Sequence, residues 1–244
     1  MFFDAEKVKN DIIIWIKNYF NKNGKDCRAV IGLSGGKDSS VTSALCVKAL
    51  GAERIVGVLL PQGEQWDIET AKEIVEYLNI KSYEINIKSI VDEIINSVDN
   101  SLPLNENTKI NIPARVRMTV LYAVSSIVNG RVANTSNLSE DWIGYSTKFG
   151  DSAGDFSPLS NLTATEVKAI GKELSLSSKF IDKIPEDGLT GKTDEENFGF
   201  TYKVLDRYIR EGICEDLIIK EKIDKLHKNS LHKLQLMPGF TYSP

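Results

Sequence analysis

The sequence predicts an α/β fold: a doubly wound, mostly parallel sheet with helices on both faces and a helical C-terminal region. Three observations predict it. Short apolar runs of strand length alternate with amphipathic helical stretches through the first half of the chain. Those runs are apolar throughout, as strands covered on both faces must be, and right-handed crossovers join such strands into a doubly wound sheet. Beyond the middle of the chain only helical periodicity returns.

The elements follow in order. Ile12, Trp15, Ile16, Tyr19 and Phe20 recur at helical spacing, and Asn23-Gly24 closes that helix. Residues 28–33 form a first strand that runs into a glycine turn and a helix from Asp38 to Leu50, ended by Gly51. Residues 54–60 form a second strand stopped by Pro61, Asp67–Leu78 a helix, and residues 82–87 a third strand. Helices are expected over Ile90–Val98 and Pro113–Val128, then a fourth strand over residues 131–134. Residues 134–160 are rich in Gly, Ser and Asp and read as a long polar loop, the kind that is functional or disordered. Helices are expected again over Thr165–Leu174, Tyr202–Ile209 and Asp216–Lys228. No repeat, low-complexity tract or composition break divides the chain, so residues 1–244 are expected to form a single domain.

Composition removes several function classes. Apolar runs are far shorter than the ~20 residues of a membrane helix, and the acidic start Asp4-Ala5-Glu6 does not suit a secretory signal. A net charge of −4 offers nucleic acid no bulk attraction. Cys27, Cys46 and Cys214 contain no C-x-x-C pair, and His227 and His232 are the only histidines, so a zinc site is not expected and the reducing cytoplasm is the simplest compartment. A Ser-His-Asp hydrolase is disfavoured because both histidines lie in one polar segment.

The sharpest signal is Ser34-Gly35-Gly36-Lys37-Asp38-Ser39-Ser40 between the first strand and its helix. Paired glycines let backbone approach a phosphate, and the helix N-terminus adds N–H groups and partial positive charge. Asp38 conflicts with an anion site unless a bridging Mg²⁺ turns it into a metal ligand. A Walker A loop is excluded, because Ile31 and Asp38 stand where that motif requires Gly and Ser or Thr.

This loop resembles the PP-loop of the N-type ATP pyrophosphatases, adenine nucleotide α-hydrolase-like enzymes that cleave ATP to AMP and pyrophosphate. Three downstream segments, Ala114–Met118, Asn134–Glu140 and Gly144–Asp155, are similar in order and spacing to the ammonia-dependent NAD synthetases. So are Asp194-Glu195, Gly199, Tyr202 and Asp206, and the terminal His232-Lys233. The resemblance implies ATP-dependent amidation of deamido-NAD by ammonia through an acyl-adenylate, in a homodimer using Mg²⁺. It implies that ATP is held by Gly32, Leu33, Ser34, Gly35, Gly36, Lys37, Asp38, Ser39, Ser40 and Thr135. Asp38 and Glu140 would hold Mg²⁺. Arg115, Lys148, Asp155, His232 and Lys233 would hold deamido-NAD. Asp38 is thereby catalytic, and Asp151 is the candidate for taking a proton from ammonium.

Residue chemistry alone gives blander readings. Arg115, on an apolar-faced helix, would be a solvated side chain, and Glu140 a surface carboxylate serving a cap with Asn137 or Ser136. Two departures from the family pattern stand out: Ala164 replaces a lysine that contacts ATP phosphates, and Glu186 replaces a hydroxyl residue after Pro185. Lys37, Lys168 or Lys192 could supply the missing charge. The alternatives are another PP-loop adenylating enzyme with a different acceptor, or a nucleotide-binding module without turnover.

Overall fold

The computed structural model describes residues 3–65, 68–99, 102–183, 193–235 and 237–242. Pro185, Glu186 and Lys192 lie outside the described residues.

Helix α1 (Ala5–Asn23) starts on an Asp4 side-chain cap and ends at Gly24. Strand β1 (Arg28–Gly32) leads through the glycine turn into α2 (Lys37–Leu50), and a 3₁₀ turn precedes β2 (Ile55–Leu59). Then come α3 (Ile68–Leu78), β3 (Lys81–Glu84), α4 (Lys88–Asp99), α5 (Glu106–Ile127) and β4 (Gly130–Val132). The remaining described elements are the helices α6 (Leu138–Ile143), α7 (Ala164–Glu173), α8 (Ser178–Ile181), α9 (Asp194–Phe198), α10 (Tyr202–Glu211) and α11 (Leu217–Leu234).

The sheet is parallel in the order β3-β2-β1-β4, so the predicted α/β class holds. Connections lead from β1 through β2 to β3 on one side, then return to β4 on the other. The resulting reversal beside β1 is the switch point where open sheets form a crevice at the carboxyl ends of their strands.

Two apolar cores cover the two faces. One packs Ile31, Ile55 and Leu59 with Ile16, Phe20, Leu45, Ile74 and Ile170. The other packs Val30, Val56, Val58 and Val132 against Val91 of α4 and Val116, Leu121 and Val124 of α5. A third core, built on Ile143, Ala164, Phe198, Phe200, Leu205 and Ile223, unites the C-terminal helices with α6 and α7.

Three expectations need correction. The helix expected from Pro113 begins seven residues earlier, because Asn105 caps it and Pro113 sits inside it. The third strand is Lys81–Glu84, an edge strand with exposed side chains, and Ile85 and Ile87 continue its pairing beyond the regular ladder. The segment 134–160 is not loop throughout. It contains α6, a helix too short to show periodicity, and Phe156 bridges back to Ala133 beside β4.

Candidate active site

At the switch point lies a cleft of about 1180 Å³. Its floor is the glycine turn. Gly35 takes a left-handed backbone (φ +72°), and a Cβ there would meet Ala71 N at 2.7 Å, so only glycine lets α3 approach the loop this closely. Gly36 N donates to Ser34 Oγ (3.2 Å), Ser39 Oγ donates to Gly36 O (3.2 Å), and the two hydroxyls lie 3.1 Å apart. These bonds hold the turn open at the start of α2, whose first turn carries no side-chain cap. Its N–H groups are thus available to an anion.

Carboxylates stand beside this turn. Lys37 Nζ (2.6 Å) and Asn137 Nδ2 (3.1 Å) both donate to Asp38 Oδ1. Asn137 is fully buried and also caps α6, its Oδ1 accepting from Ser139 N (3.0 Å) and Glu140 N (3.1 Å). One side chain therefore fixes Asp38 and Glu140 together. Desolvation by the surrounding walls, then the Asp38 charge, push the Glu140 carboxyl well above the usual carboxylate range. Two carboxylates that repel one another beside a turn with open N–H groups are a donor set that suits a hard cation, and Mg²⁺ commonly takes only one or two carboxylates beside substrate phosphates. The residues fit that ion.

The pattern Asp194-Glu195…Gly199…Tyr202…Asp206 is a frame for this wall. Tyr202 OH donates to Asp194 Oδ2 (3.0 Å), and Tyr202 N donates to Glu195 Oε1 (2.8 Å). Buried Asp206 accepts Ser139 Oγ (2.5 Å) and Thr165 N (2.8 Å), while Ser139 Oγ accepts Ala164 N (2.9 Å). The chain neighbour of Glu140 is thereby tied to α7 and α10.

Opposite the turn, Asn134 organises the loop after β4. Its amide donates to Asp151 O (2.7 Å) and Ala153 O (3.1 Å), and its Oδ1 accepts Ser136 N (3.0 Å) and Ser157 Oγ (2.9 Å). Asp151 Oδ1 accepts Thr147 N (2.9 Å). Its carboxyl is open to the cleft, yet the enclosing walls displace enough water to raise it above the ordinary carboxylate value. Lys233 Nζ donates to Gly144 O (2.8 Å) and Ser146 O (2.9 Å). Burial lowers its pKa.

The cleft brings together Gly32, Leu33, Ser34, Gly36, Lys37, Asp38, Ser39, Thr135, Glu140, Asp151 and Lys233 from the predicted set. Others lie elsewhere. Gly35 packs against the start of α3, and Ser40 is fully buried in α2, behind the turn. Arg115, Lys148 and His232 form a chain at the rim: Arg115 Nε donates to Lys148 O (3.3 Å), and Lys148 Nζ donates to His232 O (2.6 Å). Asp155 lines a second cavity of about 370 Å³ that shares Asn134 and Lys233 with the cleft. Its Oδ2 accepts Val132 N (2.7 Å), and its Oδ1 accepts Tyr122 OH (3.3 Å).

Of the lysines considered as replacement cations, Lys37 pairs with Asp38 on the cleft floor, whereas Lys168 pairs with Asp182 away from it. Ala164 is buried in the third core. The sequence gives no site role to Arg117 and Lys183, which line the cleft, and names Asn137 only as a cap with Glu140, a cap the structure contains.

These features match a known family. A family model described as NAD synthase matches residues 8–237. The NH(3)-dependent NAD(+) synthetase of Pyrococcus furiosus is 40% identical over 96% of this chain and 94% of its own. Among solved structures, an NMN synthetase from Francisella tularensis (33% identity, TM-score 0.90) aligns over 99% of this chain and 100% of its own. An NH3-dependent NAD synthetase from Campylobacter jejuni (28% identity, TM-score 0.79) has the same coverage. With a glycine turn, paired carboxylates and the loop after β4 in one crevice, and with similarity along nearly the whole length, the chain belongs to the NAD synthase family.

Proposed function

We propose that this chain amidates deamido-NAD with ammonia at the expense of ATP, forming NAD, AMP and pyrophosphate. The observation that carries this reading is the convergence of an anion-binding turn, two metal-suited carboxylates and Asp151 in one cleft. The nicotinate carboxylate attacks the α-phosphorus of ATP, and the bond to pyrophosphate breaks. Ammonia then attacks the acyl carbon, loses a proton, and AMP departs with its electron pair. Both steps crowd anions, so positioning and electrostatics supply the catalysis.

The turn, with Ser34, Ser39 and the amides opening α2, holds the phosphates, and Thr135 borders the nucleotide. Asp38 and Glu140 would hold Mg²⁺, which neutralises phosphate charge when bound. Asp151 takes the proton of ammonium, a role its raised carboxyl supports. Arg115, Lys148 and His232 bind the pyridine nucleotide along the rim, Lys233 from the cleft wall, and Asp155 borders it from the second cavity. Residues 1–244 act as one domain. Two copies associate through apolar side chains left exposed on α5, Ile110, Tyr122 and Ile127 among them. Free Cys27, Cys46 and Cys214 suit a reducing cytoplasm. No helix among the described residues is long and apolar enough to cross a membrane.

A second reading differs only in acceptor. The TM-score of 0.90 with an NMN synthetase exceeds the 0.79 with an NAD synthetase, which favours testing nicotinate mononucleotide amidated to NMN. The experiment supplies ATP, Mg²⁺ and ammonium with each acceptor separately and follows pyrophosphate and amide together. The proposal expects NAD and pyrophosphate in equal amounts and the larger kcat/KM for deamido-NAD. A larger kcat/KM for the mononucleotide selects the second reading, and pyrophosphate without either amide rejects both.

A further inference from the structure

Arg115 and Arg117 are two residues apart on α5, but the helix turns them to different surroundings. Arg115 is exposed at the rim. Arg117 is half-buried and lines the cleft. Its Nε donates to Leu60 O (3.1 Å), just past the carboxyl end of β2. Among the described residues it makes no other hydrogen bond and no ion pair, so the terminal guanidinium nitrogens have no protein acceptor.

Its cationic neighbours differ. Lys37 is paired with Asp38, and Lys233 is spent on two carbonyls. Loss of water around Arg117 lowers its pKa, and the Asp151 charge opposes that loss without reaching ion-pair distance. A guanidinium partly stripped of water and lacking a carboxylate partner is costly to maintain, and a bound oxyanion offsets that cost. Its planar fork suits carboxylate or phosphate with two parallel bonds.

We infer that Arg117 binds an oxyanion of the substrates in the cleft, either a phosphate of ATP or the carboxylate of the pyridine nucleotide. This rests on the proposed amidation and adds a residue to it. Fixed by Leu60 O, the fork is already oriented when the substrates arrive, so it can stabilise charge without reorganising.

The test is steady-state kinetics of Arg117→Gln and Arg117→Lys with ATP, pyridine acceptor and ammonium varied in turn. Arg117→Gln should lose about 100-fold or more in kcat/KM while the KM for ammonium stays within twofold, and Arg117→Lys should recover part of the loss. A raised KM for ATP assigns the phosphate, a raised KM for the acceptor assigns the carboxylate, and a fall in kcat alone places the contact in the transition state. A folded Arg117→Gln with all three substrates within twofold of wild type would overturn the inference.

A second measurement needs no variant. Phenylglyoxal modification of wild-type Arg117, read by mass spectrometry, should be suppressed by ATP or by the pyridine acceptor; equal labelling with and without both would also overturn it. Protection by ATP in a wild type that makes no amide would reject the amidation and keep the Arg117 assignment.

Discussion

Two walls of the same cleft are built differently. On the side proposed for ATP, Asp38, Asn137, Ser139 and Glu140 are linked by buried or half-buried hydrogen bonds and backed by Asp206. On the side proposed for the pyridine nucleotide, Arg115, Lys148 and His232 meet through backbone carbonyls, with Arg115 and His232 open to solvent. The first wall is shaped before any ligand arrives. The second has cations whose strength water and salt control, and it gains force only when something covers it. Under the proposed function, reaction chemistry is assigned to the first wall and acceptor capture to the second.

The largest expected effect is at the first wall. Asp38→Ala should lower kcat by about 1000-fold or more, because the cation site and its charge compensation are lost together. Circular dichroism and thermal melting should stay close to wild type. Near-normal turnover would remove the metal assignment.

Next is Asp151, which stands where the two walls meet. Its carboxyl is raised above the ordinary 3.8, so it is protonated and inactive as a base at acid pH and becomes competent as pH rises. Asp151→Asn should lose about 100-fold at neutral pH. The variant must rely on free ammonia already in solution, so its rate should climb about tenfold per pH unit toward the alkaline range. An equal loss at every pH would assign Asp151 to structure instead.

The frame behind Glu140 sharpens the comparison. Asp206→Asn removes one of two carboxylate acceptors in a buried network, leaving Ser139 Oγ or Thr165 N short of a partner. The expected cost is about 1–3 kcal/mol of stability. Denaturant titration measures it, and the Mg²⁺ concentration for half-maximal activity should rise as Glu140 loses its anchor.

The smallest effect is expected at the rim. Lys148→Met should raise the KM for the pyridine acceptor a few-fold, increasingly at low salt, with stability within about 0.5 kcal/mol of wild type. A loss as large as that of Asp38→Ala would erase the distinction between the walls.

The two walls were also unequally legible in the sequence. The phosphate turn is a local device: its glycines, hydroxyls and helix start lie within seven residues, and their spacing alone specifies the geometry. The strand and helix order followed from apolar runs in the same way. Ser40 was grouped with Ser39 because the pattern is linear, yet one residue along a helix turns the side chain by about 100°, into the core. The family resemblance points to Arg115 and gives Arg117 no role, and only the docking of α5 on the sheet shows that Arg117 is the one lining the cleft. The cap of Asn137 on Glu140 is local and legible, whereas its bond to Asp38 crosses 99 positions of the chain. The D-E-x(3)-G-x(2)-Y-x(3)-D pattern was visible as similarity, while its work as a brace required the packed third core.

The central claim is that the pyridine carboxylate attacks the α-phosphorus of an ATP held on the glycine turn. Deamido-NAD labelled with ¹⁸O in its nicotinate carboxylate tests it most directly, with mass spectrometry of every phosphorus-containing product after turnover with ATP, Mg²⁺ and ammonium. The account predicts one ¹⁸O transferred to AMP and none to pyrophosphate. Label in pyrophosphate or inorganic phosphate, or NAD formed with unlabelled AMP, would contradict it.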